Sequence, residues 1–263
     1  MIRDWSNFIG GRVALVTGSG AGIGRAIAMH MARAGAEVWI NDLDLSRAEG
    51  VVAEIEAEGG KAHPIVADVC DPASVREMAS TTGPVDILVN NAGSGVRAFG
   101  TKGGTPLVPF AESDPGDWEP VMRVNLTGVL HVTHTYLTDM IERGWGRILT
   151  IVSDAGRRGE RRQVVYGAAK AAAMGFARGL AAEVGRQGVT VNCISLGSMR
   201  HGPLADAVDA DPELERKLSS AYPAGRLGRV DDPAPLAVLL CSDAAEWITG
   251  QVYPVDGGYA PAL

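Results

Sequence analysis

The chain has 263 residues, 24 Lys+Arg against 31 Asp+Glu for a net charge of −7, with 46% hydrophobic and only 5% aromatic residues. This composition excludes intrinsic disorder, and the acidic balance argues against a protein that coats nucleic acid or an anionic membrane. Glycine is abundant at 34 residues, roughly twice the usual ~7%; with an aliphatic core, that points to tight turns and close backbone approach, as in α/β proteins that bind phosphates.

The elements alternate along the chain. Val13–Val16 reads as a strand, followed by a glycine-rich turn and a helix over Ala21–Ala34 with Ile23, Ile27 and Met31 on one stripe. Val38–Ile40 is a second strand. Ser46 is placed to cap a helix carrying Val51, Val52 and Ile55. His63–Ala67, a short helix Ala73–Thr81 and Val85–Val89 follow. Trp118–Ile141 reads as one long helix, Arg147–Val152 as a fifth strand, Tyr166–Arg186 as a helix, Val189–Ile194 as a sixth strand, Pro235–Cys241 as a helix and Val252–Val255 as a seventh strand. Strands alternating with helices predict an α/β fold: a Rossmann-like, doubly wound, seven-stranded parallel sheet with helices on both faces. The pattern runs end to end, so residues 1–263 are expected to be a single domain. Gly93–Ser113 and Ser198–Arg226 break the rhythm, and long irregular segments in a compact domain are usually functional or mobile.

Cys70, Cys193 and Cys241 are scattered and odd in number, which fits a reducing compartment and predicts a cytoplasmic protein without a zinc site. His131 and His134 stand at i, i+3 with no further ligand cluster, so no metal is expected. No apolar run is long enough to span a bilayer.

Thr17-Gly18-Ser19-Gly20-Ala21-Gly22-Ile23-Gly24 sits between the first strand and the first helix, where free amides can face a diphosphate. Asp42 ends the second strand, where an acid hydrogen-bonds ribose hydroxyls and repels a 2′-phosphate; no Arg or Lys is adjacent in sequence. NAD(H) is therefore expected ahead of NADP(H). Asp68 is either a contact for the adenine edge or an ordinary solvated acid. Tyr166 and Lys170, four apart, share one helix face, and Ser153 ends the fifth strand. A phenol is a poor acid or base at neutral pH; a nearby ammonium would lower its pKa and fit it for proton transfer.

With these residues in place, the chain resembles the short-chain dehydrogenase/reductase family. The matching features are Thr17–Gly24, Asp68, Asn90-Asn91-Ala92-Gly93, Asn125, Ser153, Tyr166, Lys170, Ile248-Thr249-Gly250-Gln251 and Asp256-Gly257-Gly258. The resemblance implies catalytic roles for Asn125, Ser153, Tyr166 and Lys170: Tyr166 moves the proton, Lys170 lowers its pKa and holds the nicotinamide ribose, Ser153 orients the carbonyl, and Asn125 kinks its helix and holds a water. It implies cofactor contacts at Gly18, Ser19, Gly22, Ile23, Gly24, Asp42, Asp68, Val69, Asn91, Ala92, Gly93, Tyr166, Lys170 and Gly197, and a substrate lid over about residues 198–226 hinged at Gly197 and Gly202. The chain departs from the family pattern after the sixth strand, where Leu196 and His201 replace a proline and a threonine.

Four arginines, Arg157, Arg158, Arg161 and Arg162, lie between Ser153 and Tyr166. They either recognise an anionic substrate such as CoA phosphates or a carboxylate or form a solvated or subunit-contact loop salt-bridged to the acid-rich stretch Asp206–Glu215. Phe99, Leu107, Val108 and Phe110 in the long 93–113 segment either wall a bulky substrate or make an oligomer contact. The leading expectation is an NAD-dependent alcohol dehydrogenase or ketone reductase for a bulky cyclic or hydroxyacyl-CoA substrate. The alternatives are an NADPH-dependent 3-oxoacyl-carrier-protein reductase and a steroid or polyol dehydrogenase. Small residues on the Tyr166 helix, with the family habit, imply a homotetramer. Neither nucleic acid nor membrane is an expected partner.

Overall fold

The structure, a computed structural model, describes residues 7–94, 96–97 and 105–260. The strands are β1 (Val13–Val16), β2 (Glu37–Asp42), β3 (Lys61–Val66), β4 (Ile87–Asn90), the two-residue β5 (Val96–Arg97) and β6 (Thr105–Pro106), β7 (Gly146–Ser153), β8 (Val189–Leu196) and β9 (Val252–Val255). The helices are α1 (Gly22–Arg33), α2 (Leu45–Ala57), α3 (Pro72–Thr82), α4 (Trp118–Met122), α5 (Gly128–Arg143), α6 (Asp154–Arg157), α7 (Val164–Val184), α8 (Gly202–Ala210), α9 (Pro212–Ser219) and α10 (Ala234–Leu240). Seven strands form one all-parallel sheet in the order β3-β2-β1-β4-β7-β8-β9, and β5 pairs with β6 apart from it. This is the expected doubly wound fold. The order reverses between β1 and β4, so a crevice opens at their carboxyl ends.

Strand alternation divides the core between the two faces. Ala14, Val16, Val38 and Ile40 face Ile27 and Met31 of α1, Val51 and Ile55 of α2, and Val238 of α10. Leu15, Leu88, Ile148 and Val152 face Met78 of α3, Val132 and Tyr136 of α5, and Met174 and Ala177 of α7. With both faces covered, β1, β4 and β8 read as continuous buried runs.

Two local expectations are corrected. Asp44, not Ser46, caps α2: its carboxylate accepts from the Ser46 amide at 2.9 Å, and an acid is at least as good an N-cap as serine. The long helix Trp118–Ile141 is not continuous. Residues Arg123–Thr127 form a π-helical turn between α4 and α5, a feature frequent at functional sites.

Candidate active site

The glycine turn is knotted to its neighbours from inside. Thr17 is buried, and its Oγ1 accepts the amides of Asn91 and Ala92, both at 3.0 Å. Asn91 Nδ2 donates to the carbonyls of Thr17 and Gly18, both at 2.9 Å. Gly18 has φ +61°, and a Cβ there would lie 2.8 Å from the Ala92 Cα. A Cβ on Gly24 would lie 2.4 Å from Asn91 Nδ2 and 2.5 Å from the Gly18 carbonyl. These two glycines therefore let the turn close against the end of β4. Ala21, the N-cap of α1, offers no side-chain cap, so the first-turn amides remain for an anion. The residues present fit a dinucleotide diphosphate at this helix start.

Ser19, expected among the cofactor residues, is turned inward. Its hydroxyl donates to the Val16 carbonyl at 2.7 Å and its amide to the Asn41 carbonyl at 2.8 Å, leaving neither for a ligand. Asn41, a buried polar residue in β2 that sequence reading passed over, also accepts from the Gly18 amide and ties Ala67 with its Nδ2. Asp42 stands on the rim as expected and accepts from the Gly20 amide at 3.1 Å. Arg47, in the first turn of α2, packs against Gly20 beside it, with its guanidinium 3.6 Å from Asp44. The Asp68 carboxylate accepts from the Cys70 amide at 2.8 Å, and Val69 is buried against Gly128. His201, where the family carries threonine, lies over Gly22: its Nδ1 is 3.4 Å from where a Gly22 Cβ would stand. Burial lowers its pKa.

The proposed catalytic residues converge at the carboxyl ends of β4 and β7. A Cβ on Gly93 would lie 2.8 Å from Asn125 Oδ1 and 3.4 Å from Lys170 Nζ. Asn125 sits in the π-helical turn and returns its Nδ2 to the Val121 carbonyl at 3.0 Å and to Ser94 at 3.2 Å. Its Oδ1 is buried without a partner. Lys170 is buried, donates to the Ile151 carbonyl at 3.0 Å and lies 5.9 Å from the Tyr166 ring centroid. Its burial pulls the ammonium down to about 8. Burial pushes the Tyr166 phenol up, and the facing Ser153 hydroxyl opposes that rise. The expected lowering of Tyr166 by Lys170 is not seen: burial dominates, and the opposing group is Ser153 rather than the lysine. Ser153 Oγ accepts the Ala155 amide at 3.2 Å as the N-cap of α6, which leaves its single proton to be donated toward the Tyr166 oxygen or, in its place, a substrate oxygen.

The arginine loop divides. Arg157 is a structural residue rather than a substrate contact: its side chain is 15% exposed, and its Nη1 lies 3.0 Å from Asp154 and 3.7 Å from Asp256. Arg158 is engaged by the C-terminal segment, donating to the Tyr259 carbonyl at 3.2 Å and stacking on its ring at 4.5 Å. Arg161 and Arg162 are exposed and have no partner among the described residues. The acid-rich stretch does not meet this loop; Asp209 and Glu215 pair with Arg200 instead. Arg162, at φ +65°, shares a shallow cleft with Val108, Phe110, Trp118, Val164 and Val165. Phe110 stacks on Trp118 at 5.2 Å. Phe99 lies outside the described residues. Leu196 packs into the core and Gly197 is covered by Tyr222, whose hydroxyl accepts the Ser198 amide at 2.8 Å. Among the described residues, no group of three His, Cys, Asp or Glu could hold a metal ion, and no helix is long and apolar enough to cross a membrane.

Comparison with known proteins agrees with this geometry. The family described as enoyl-(acyl carrier protein) reductase matches residues 18–260. A hydroxy(phenyl)methylsuccinyl-CoA dehydrogenase subunit of Thauera aromatica is 39% identical over 94% of this chain and 96% of its own. A 3-oxoacyl-(acyl carrier protein) reductase of Aquifex aeolicus is 38% identical over 94% and 97%. Among solved structures, a gluconate 5-dehydrogenase of Burkholderia cenocepacia J2315, in complex with NADP and tartrate, superposes with a TM-score of 0.87 at 36% identity, covering 98% of this chain and 99% of its own. That NADP complex runs against the ranking of NAD(H) ahead of NADP(H) drawn from Asp42: NADP(H) is no less expected, and the cofactor class is NAD(P).

Proposed function

The chain belongs to the short-chain dehydrogenase/reductase family of NAD(P)-dependent oxidoreductases acting on alcohols, and on that premise we propose that it interconverts a secondary alcohol and a ketone on a bulky acyl-CoA or cyclic substrate. The observation that carries the reaction is the convergence of Ser153, Tyr166, Lys170 and Asn125 beside the glycine turn. Bound NAD(P) supplies the hydride acceptor or donor. In our reading, the α1 amides at Gly22, Ile23 and Gly24 hold the diphosphate, with Gly18 giving the turn. Asp42 holds the adenosine ribose, Asp68 and Val69 border the adenine, and Asn91, Ala92, Gly93 and Gly197 line the nicotinamide cleft.

Tyr166 takes the hydroxyl proton of the alcohol as its carbon loses hydride, and returns a proton to the carbonyl oxygen in reduction. Ser153 donates a hydrogen bond to that oxygen while its own oxygen caps α6. Lys170 holds the nicotinamide ribose and stands next in the proton path. The unmet Asn125 Oδ1 suits a water bridging toward the Lys170 ammonium.

Two features support an anionic, partly apolar substrate. Arg161 and Arg162 are unpartnered cations, and Arg162 is held in a backbone region a bulky residue rarely adopts. The cleft beneath it is mostly apolar, with Ser113 and Asp117 also on its wall. A relative that acts on a CoA thioester supports the same class. The segment over 198–226, whose Val208 and Tyr222 form a small core with the adjoining Leu227, is read as the substrate lid. A homo-oligomer, a tetramer in our reading, would form through the small exposed residues of α7.

For the cofactor, Asp42 favours a free 2′-hydroxyl and hence NAD(H). Arg47, on the same rim, is the observation in favour of NADP(H). Initial rates with both cofactors against hydroxyacyl-CoAs, the matching free acids, steroids and polyols test the whole reading. Turnover of hydroxyacyl-CoA with NAD(H) is expected. Faster turnover with NADP(H) would overturn the Asp42 argument, and equal rates on free acids the arginine argument.

A further inference from the structure

Asp154 directly follows Ser153, and the reaction described above has no use for it. Its side chain is 3% exposed. Oδ1 accepts from Ser195 Oγ at 2.6 Å and from Arg157 Nη1 at 3.0 Å. Oδ2 is buried and receives no donor. A second buried acid, Asp256, whose side chain is 5% exposed, shares the Arg157 guanidinium with Asp154 and neighbours its carboxyl. Asp256 is well supplied: Oδ1 accepts the Gly258 amide and Oδ2 the Ala260 amide, both at 2.9 Å, and Arg157 Nη1 lies 3.7 Å from Oδ2.

One guanidinium cannot neutralise two buried carboxylates, and two bare carboxylates cannot hydrogen-bond each other. A single shared proton resolves both problems. The acid with two backbone donors is the better carboxylate, so the proton belongs on the other. The charged groups facing the pair are Arg157 from α6 and, mutually, Asp154 and Asp256. Strand β8 contributes the uncharged Ser195. Helix α7 packs on α6 through Gly167 and the Lys170 backbone, with the Lys170 ammonium turned to the Ile151 carbonyl.

We propose that Asp154 is a positioning residue that keeps its proton at neutral pH and donates it from Oδ2 to Asp256, pinning the start of α6, and with it the Ser153 hydroxyl, to the C-terminal turn. Burial pushes the Asp154 carboxyl above the usual range, with Ser195 and Arg157 opposing and Asp256 reinforcing. Because Ser153 Oγ accepts the Ala155 amide, the position of that first turn sets where its proton points. The inference rests on reading Ser153 and Tyr166 as reaction partners, but its test needs no substrate.

Infrared difference spectra of the wild type minus Asp154→Asn at neutral pH are expected to contain the C=O stretch of a protonated carboxyl. Its absence would overturn the assignment of the proton. The Tyr166 phenol is then titrated by ultraviolet absorbance, each protein against its Tyr166→Phe partner. Asp154→Asn, which copies the neutral acid, should titrate with the wild type. Asp154→Ala, which frees the turn, should bind the phenolic proton about tenfold more tightly, because the Ser153 hydrogen bond that opposes it is lost. If Asp154→Ala also titrates with the wild type, Asp154 does not position Ser153. If Asp154→Ala fails to fold, the infrared comparison still decides the proton. A wild type that gives both signatures yet turns over none of the alcohols and ketones offered would instead fault the reaction assigned to Tyr166.

Discussion

The two halves of the crevice are built from different materials. On the cofactor side, the turn from Thr17 to Gly24 is held by backbone groups and by the short polar side chains of Thr17, Asn41 and Asn91. On the substrate side, position is set by long charged or aromatic side chains meeting across great sequence distance: Arg158 with Tyr259, Tyr259 with Glu160, and Asp154 with Ser195 and Asp256. The first kind of construction serves a ligand shared by many enzymes. The second can be re-made residue by residue, which is how one fold serves many substrates.

The comparison can be broken at four places. Tyr166→Phe removes the proton carrier where the halves meet. Turnover should fall by about 10²- to 10⁴-fold while NAD(P)H binding weakens far less, read by initial rates and cofactor fluorescence. Gly24→Ala puts a methyl group into the Asn91 amide and the Gly18 carbonyl. A loss of about 1–3 kcal/mol in urea unfolding is expected, with weakened NADH binding. On the substrate side, Arg157→Ala strips a donor from two buried acids and should destabilise by about 1–3 kcal/mol. Arg162→Ala should leave stability within about 0.5 kcal/mol while raising KM for an acyl-CoA; equal stability losses for the two would erase the division of the loop.

The smallest effect concerns pH. Lys170 is held down to about 8 by burial, below its unfolded value, so the unfolded chain binds more protons between the two. Stability contributed at this site therefore rises with pH across that window. The melting temperature of the wild type should rise relative to that of Lys170→Met from about pH 8 to 10; a constant difference would contradict it.

The cofactor half was largely legible in the sequence. Gly18, Gly24 and Asp42 each lie within a local strand–turn–helix pattern, Asn91 ends a strand, and the run pattern located every strand of the main sheet. Ser19 shows the limit: spacing placed it in the turn but could not say that its hydroxyl faces Val16. Four arginines in six residues looked alike in sequence. Only the fold separates Arg157, drawn in by Asp154 and by Asp256 about a hundred positions away, from the free Arg161 and Arg162. The same holds for Asp154 itself, an ordinary acid in sequence until β8 and the C-terminal turn close over it. The break in the long helix follows from Asn125, whose side chain competes for the Val121 carbonyl.

The strand order also has a consequence in time. Every sheet pairing around the glycine turn, β1 with β2, β1 with β4 and β2 with β3, closes within residues 13–90. A chain emerging amino-terminus first can register these strands before β7 to β9 have been synthesised. The nucleotide cradle is then the template on which the later strands dock. The Asp154–Asp256 contact comes later than these pairings, because Asp256 follows β9, the last strand to join the sheet. A truncation or frameshift after β9 would therefore leave the cradle's strand pairings intact while unfastening the serine that the chemistry depends on.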